Sequence, residues 1–218
     1  MILKNYLENF INSASNKKGY VNIIISGGSS PLQLYNYIIK QKFNWNRVKF
    51  SLLDERLVNN NSKFLNYNNI KKIFKKNKNI NFVNLLNYYK NNKINSLIES
   101  YSKNKSLIIA GFGDDGHFGS IYQNSKYFKL LTSKKEKKNI MKVEKNGDPF
   151  VERLTMNFSL IKNMKSIIIV LNNEKKCKLF KYYTKKNNKN NTTIKNLVKL
   201  FKKKILIYKN KKLSKLNY

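Results

Sequence analysis

The sequence predicts an α/β fold, a mostly parallel β-sheet flanked by helices. Three observations carry the prediction. Short runs of β-branched residues recur along the chain, and most are followed by apolar residues at helical spacing. That alternation is the signature of βαβ units. Two of the runs end in glycine clusters and a third in charged residues, so the unusual residues fall at predicted carboxyl ends of strands, the edge where open α/β sheets bind ligands.

In chain order, Leu3, Tyr6, Leu7, Phe10 and Ile11 form one face of an amphipathic helix. This opening lacks the apolar stretch of a signal peptide, and no run in the chain is long enough to cross a bilayer. The expectation is a soluble, cytoplasmic protein with no membrane partner. "VNIIISGG" (21–28) reads as a buried strand, because Ile23, Ile24 and Ile25 suit a sheet covered on both faces. Pro31 then sits near the first turn of a helix whose apolar face is Leu32, Leu34, Tyr35, Ile38 and Ile39. "VKFSLLDERLV" (48–58) is a second strand running into a charged loop. Residues 66–76 and 93–103 are short amphipathic helices. "SLIIAGFG" (106–113) is the third strand. "SIIIVLNN" (166–173) is the fourth, with a helical pattern through Tyr183. "KILIYKN" (204–210) is the fifth. Shorter strands are expected at 128–131, 139–143 and 153–158, and a solvated loop at 184–191. No repeat or domain boundary is visible, so residues 1–218 read as a single domain.

Composition explains less than it first suggests. A net charge of +34 points towards polyanions. Yet of 45 basic residues only Arg47, Arg56 and Arg153 are arginine, and the lysines are spread along nearly the whole chain. Lysine, asparagine, isoleucine, tyrosine and phenylalanine share A/T-rich codons, so nucleotide bias accounts for the charge without a specific nucleic-acid partner. One cysteine, Cys177, permits no intramolecular disulfide. Against this background the exceptions stand out. Six of the eight glycines, Gly27, Gly28, Gly111, Gly113, Gly116 and Gly119, fall in two short stretches, and the second holds the single histidine, His117.

Each stretch has a chemical reading. "SGGSSP" joins a strand to a helix. Gly27 and Gly28 allow close backbone approach, Ser29 and Ser30 add donors, and the helix start favours an anion, so the segment suits a phosphate cradle. A bare tight turn would look the same. It is not a Walker loop, because the GxxxxGK spacing is absent. "LLDER" ends a strand with two carboxylates, Asp54 and Glu55, and the Arg56 guanidinium, either as a loop-ordering ion pair or as a carboxylate that orients a base beside a cation that stabilises an oxyanion. His117 follows "GDDG" at the same predicted edge and suits a general base at neutral pH. The one histidine and one remote cysteine give no metal-ligand spacing, and no GxSxG elbow is present.

Taken together, "IIISGGSSPLQLY", "LLDERLV", "GFGDDGHFGSIY", "ERLTMNFSLI" and "IIIVLNNEKKCKLF" resemble, in order, the motifs of the 6-phosphogluconolactonase family, within a superfamily that includes glucosamine-6-phosphate deaminase. The resemblance covers roughly residues 20–210. It implies a Rossmann-like sheet and hydrolysis of 6-phospho-D-glucono-1,5-lactone in the oxidative pentose phosphate pathway. His117 would activate water, Arg56 would stabilise negative charge, and Asp54 would position the water or the histidine. Gly27, Gly28, Ser29 and Ser30 would bind phosphate, with Arg153 and Lys175 completing that site, and Asn66 would contact substrate hydroxyls. No cofactor or metal is implied, and the chain is expected to be a monomer or homodimer. Arg56, where deaminases carry tyrosine, and the lack of a glutamate soon after His117 favour the lactonase over an amino sugar phosphate isomerase or deaminase. A non-catalytic polyanion-binding relative is the remaining alternative. The sequence departs from the pattern at Leu65, Gln123 and Asp148, and its segment before the first motif is short.

Overall fold

The computed structural model describes residues 1–14, 19–185 and 187–216. In chain order the elements are α1 (Leu3–Asn12), β1 (Val21–Ile25), α2 (Leu32–Ile38), β2 (Val48–Leu52), β3 (Asp54–Arg56), α3 (Asn66–Phe74), β4 (Asn81–Phe82), α4 (Leu85–Lys90) and α5 (Ile94–Lys103). There follow β5 (Ser106–Ala110), α6 (Phe128–Leu131), β6 (Ile140–Asn146), β7 (Val151–Met156), α7 (Phe158–Ile161) and β8 (Ser166–Val170). The last are α8 (Glu174–Thr184), α9 (Thr193–Phe201), β9 (Ile205–Lys209) and β10 (Lys212–Lys215).

Seven strands form the main sheet in the order β10-β9-β8-β5-β1-β2-β4, parallel except for the edge pair β9–β10. The three central strands, VNIII, SLIIA and SIIIV, are buried at every position, as expected of strands covered on both faces. Apolar faces of the surrounding helices complete a continuous core, with Leu7, Tyr35, Leu97, Phe180 and Leu197 each under 4% exposed. Asn22, buried in β1, is satisfied there: its Nδ2 donates to the Ser100 carbonyl (3.0 Å) and the Ser106 hydroxyl (3.1 Å), and its Oδ1 accepts from the Ser100 hydroxyl. From β1 the chain builds outward to β2 and β4 on one side, and from β5 to β8 and β9 on the other. The crevice between the carboxyl ends of β1 and β5 is therefore the topological switch point of the sheet.

A second sheet, antiparallel in the order β3-β7-β6, stands beside that crevice. The segment 48–58, expected as a strand running into a charged loop, holds two strands. β2 belongs to the main sheet, and after Leu53 the charged residues, expected as a loop, form β3 of the second sheet. Leu53 joins the two: its N–H donates to the Ile25 carbonyl (2.8 Å) and its carbonyl accepts from the Met156 N–H (3.0 Å).

The strand expected at 128–131 is the helix α6. Phe128 and Leu131 are buried and Leu130 is 45% exposed, a three-residue spacing that a strand cannot provide. The strand expected over 153–158 spans 151–156 and stops at Asn157, whose side chain caps α7 by accepting from the Leu160 N–H. The strand at 139–143 extends to Asn146 as β6. Helix α8 runs on to Thr184, and the polar loop follows it over 185 and 187–191, with residue 186 outside the described residues. The short α4, β4 and β10 were not anticipated. No helix among the described residues is long and apolar enough to cross a membrane.

Candidate active site

A cleft of about 490 Å³ opens at the switch point. It is lined by nine of the ten candidate residues: Gly27, Gly28, Ser29, Ser30, Asp54, Arg56, Asn66, His117 and Arg153. The tenth, Lys175, is not in the lining, whereas its neighbour Lys176 is.

One wall is the segment after β1. Gly27 is required by packing, because a Cβ there would collide with the Asn66 amide, and Gly28 by its left-handed backbone, φ +82°. Tyr35, buried in α2, fastens the wall by donating to the carbonyls of Ser26 (2.9 Å) and Ile109 (3.2 Å). The Ser26 hydroxyl accepts from the Gly111 N–H (3.3 Å), joining the ends of β1 and β5.

The second wall is the β3–β7 pair. Register sets Asp54 opposite Thr155 and Arg56 opposite Arg153, so all four side chains share one face, the face that meets the cleft. Like charges directly opposed across strands are unfavourable. The fold tolerates this pair through carbonyls. Arg153, 2% exposed, donates to the carbonyls of Asn146 (2.9 Å) and Pro149 (2.8 Å), and Arg56 donates to that of Phe64 (2.5 Å). Neither has a carboxylate partner among the described residues, and the buried Arg56 Nε has no partner. Two adjacent guanidiniums so arranged are suited to an anion.

Beneath them lies Glu55, fully buried. Its Oε1 accepts from the backbone N–H groups of Arg56 and Asn66, and its Oε2 from that of Tyr67, each at 2.8 Å. It thereby clamps β3 to the first turn of α3. Burial pushes its carboxyl up to about 7, against the opposing pull of the three N–H donors.

The third wall is the loop after β5. The Gly113 N–H donates to the His117 carbonyl (2.9 Å) and the Gly116 N–H to that of Gly113 (3.0 Å), closing a tight turn. Gly116 holds φ +84°, and a Cβ on Gly113 would strike the imidazole. His117 Nδ1 lies 2.6 Å from Asp115 Oδ1, and the ring centre is 4.3 Å from that of Tyr122. Burial works to raise the Asp115 carboxyl, and the hydrogen bond and charge of His117 outweigh it, leaving it below its ordinary value. The structure thus pairs His117 with Asp115, while Asp54 Oδ2 accepts from the Ser120 hydroxyl (2.6 Å). Asn66 opens α3 and donates to the Asp54 carbonyl (3.2 Å).

Sequence reasoning gave Asp115 and Glu55 no role of their own and passed over Lys176. Asp115 stands two residues before His117, close enough for a turn to bring them together. Lys176 shares the buried face of α8 with Cys177, Phe180 and Tyr183, a helical spacing visible in the sequence. Lys175 lies off that face, its side chain 68% exposed.

Residues 2–202 match the model of the family described as glucosamine-6-phosphate isomerases/6-phosphogluconolactonase. The 6-phosphogluconolactonase of Thermotoga maritima is 30% identical over an alignment of 168 positions that covers 73% of each chain. The bifunctional glucose-6-phosphate 1-dehydrogenase/6-phosphogluconolactonase of Plasmodium falciparum is 31% identical over an alignment of 207 positions that covers 76% of this chain and 22% of that longer protein. Among solved structures, a 6-phosphogluconolactonase of Shewanella baltica shares the fold with a TM-score of 0.74 and 21% identity, over 90% of this chain and 86% of that one.

Proposed function

The chain belongs to the family of glucosamine-6-phosphate isomerases and 6-phosphogluconolactonases, and from that premise we propose that it hydrolyses 6-phospho-D-glucono-1,5-lactone to 6-phosphogluconate, with His117 activating the water. The observation that carries the mechanism is the 2.6 Å contact of His117 Nδ1 with Asp115, in a cleft whose facing wall bears Arg56 and Arg153.

A carboxylate on Nδ1 fixes the tautomer that carries its proton there. Nε2 is then left as the acceptor, free to take a proton from water as the oxygen attacks C1 of the lactone. The carbonyl oxygen becomes an oxyanion, for which the Arg56 guanidinium in the cleft wall supplies a cation. Collapse of the tetrahedral intermediate breaks the bond between C1 and the ring oxygen. That oxygen takes the proton from the imidazolium, which restores His117 and releases the open-chain acid. Asp54, held by Ser120, is placed to orient the water or a hydroxyl. Asn66 contacts sugar hydroxyls.

The phosphate sits against Gly27, Gly28, Ser29 and Ser30, with Arg153 on the opposite wall. The cation that completes this site is Lys176 rather than Lys175, because Lys176 is the lysine in the lining. The whole chain acts as one domain, as a monomer or homodimer in the cytoplasm.

The test is hydrolysis of freshly generated lactone, with the spontaneous rate subtracted, by the wild type and by His117→Ala of equal circular dichroism. Fast hydrolysis that falls by about 10²–10⁴-fold in the variant is the expected result. A well-folded wild type with no rate above background would overturn the reading.

A further inference from the structure

Asp114 holds two lysines at once. Its Oδ1 accepts from Lys176 Nζ at 2.6 Å and its Oδ2 from Lys175 Nζ. The two lysines differ in place. The Lys176 side chain is 11% exposed and lines the cleft, where it is the single lysine in the lining among the described residues. Lys175 projects outside. Lys176 Nζ also donates to the Phe112 carbonyl (2.6 Å), which fixes the ammonium at the end of β5. The Asp114 backbone is anchored because its carbonyl accepts from the Tyr183 hydroxyl (2.7 Å), while its side chain is 52% exposed and able to turn. Hydrogen bonds from Lys175, then Lys176, hold its carboxyl down to about 2, so it is an anion throughout the neutral range.

A carboxylate already stands, therefore, on the lysine that the cleft, among the described residues, offers to an anion. A phosphate dianion arriving at Lys176 would meet this like charge within a few ångströms, and such neighbours repel. We propose that Asp114 is an internal counter-anion at Lys176, displaced by the substrate's phosphate, and that Lys175 receives the carboxylate when it turns outward. The inference rests on the reading that Lys176 binds that phosphate. Its consequence is a binding site tuned down in affinity: Asp114 raises KM and hastens release of the phosphorylated product. Lys175 keeps the displaced charge paired and so lowers the cost of the exchange.

The probe is inorganic phosphate, titrated calorimetrically into the full chain at fixed ionic strength. Asp114→Asn should bind phosphate about fivefold more tightly than wild type, the upper range for a partly exposed ion pair, and KM for the lactone should fall in parallel. Lys175→Met should weaken phosphate binding in the wild type and do so less in the Asp114→Asn background. Unchanged or weaker phosphate binding by folded Asp114→Asn would overturn the proposal, as would equal effects of Lys175→Met in both backgrounds. Lys176→Met separates the premise from the proposal. If it leaves phosphate binding intact while the wild type hydrolyses lactone, phosphate is held elsewhere and the counter-anion role falls with its premise. Hydrolysis is read independently of these titrations, so a chain that binds phosphate without turnover would count against the lactonase reading alone.

Discussion

Asp115 and His117 form the contact on which the proposed chemistry rests, and it is made by a two-residue step in a glycine turn. Substituting Asp115 by asparagine preserves the shape but presents an amide to Nδ1. The amide's NH₂ group would stabilise the tautomer with its proton on Nε2, the wrong nitrogen for a base. Asp115→Asn should therefore lower kcat by about 10²-fold with little change in KM, measured by the lactone assay at matched folding. An unchanged kcat would remove Asp115 from any positioning role. At this scale much of the site was legible in the sequence. The glycines and the lone histidine stand out against a lysine- and asparagine-rich background because a turn with φ near +84°, or a position whose Cβ would strike His117, cannot drift in identity without consequence. Which carboxylate meets the imidazole was not legible, because it depends on the path of the backbone through Gly113–Gly116 rather than on residue type.

Between elements, Glu55 is the joint that sets β3 against α3, and through them Arg56 and Asn66. Its carboxyl rises from an ordinary 4.5 to about 7 on folding. Between those values the folded chain holds more proton than the unfolded one, so this group's contribution to stability is full below pH 4.5 and is lost as pH rises through 7. The span amounts to about 3 kcal/mol. Urea unfolding of wild type and Glu55→Gln at pH 5 and pH 8 should show the gap between the two proteins narrowing at the higher pH. A gap independent of pH would show that Glu55 does not titrate in this window. The central strands were readable because a continuous β-branched run has few other uses. The second sheet was not, because β3 finds its partner β7 about a hundred residues later, and no local pattern reports that register. The same limit applies to α6, where four residues are too few to separate a three-residue period from a two-residue one.

For the whole molecule, 45 basic and 11 acidic residues imply strong self-repulsion at low salt. Raising ionic strength from about 10 to 150 mM, where the Debye length shortens from about 30 to 8 Å, should raise Tm and abolish loose association with RNA or heparin. RNA binding that survives 150 mM salt would revive the polyanion-binding alternative. One atom-level feature acts on this same scale. Leu53 gives its N–H to one sheet and its carbonyl to the other, so the strand that carries the arginine wall grows out of the core without a hinge. The arginine-bearing wall and the scaffold should then melt as one cooperative unit. In a urea titration, enzymatic rate and far-ultraviolet circular dichroism should decline along a single curve, and the Leu53 amide should exchange its hydrogen only through global opening. In such a protein, making the scaffold hardier makes the activity hardier with it.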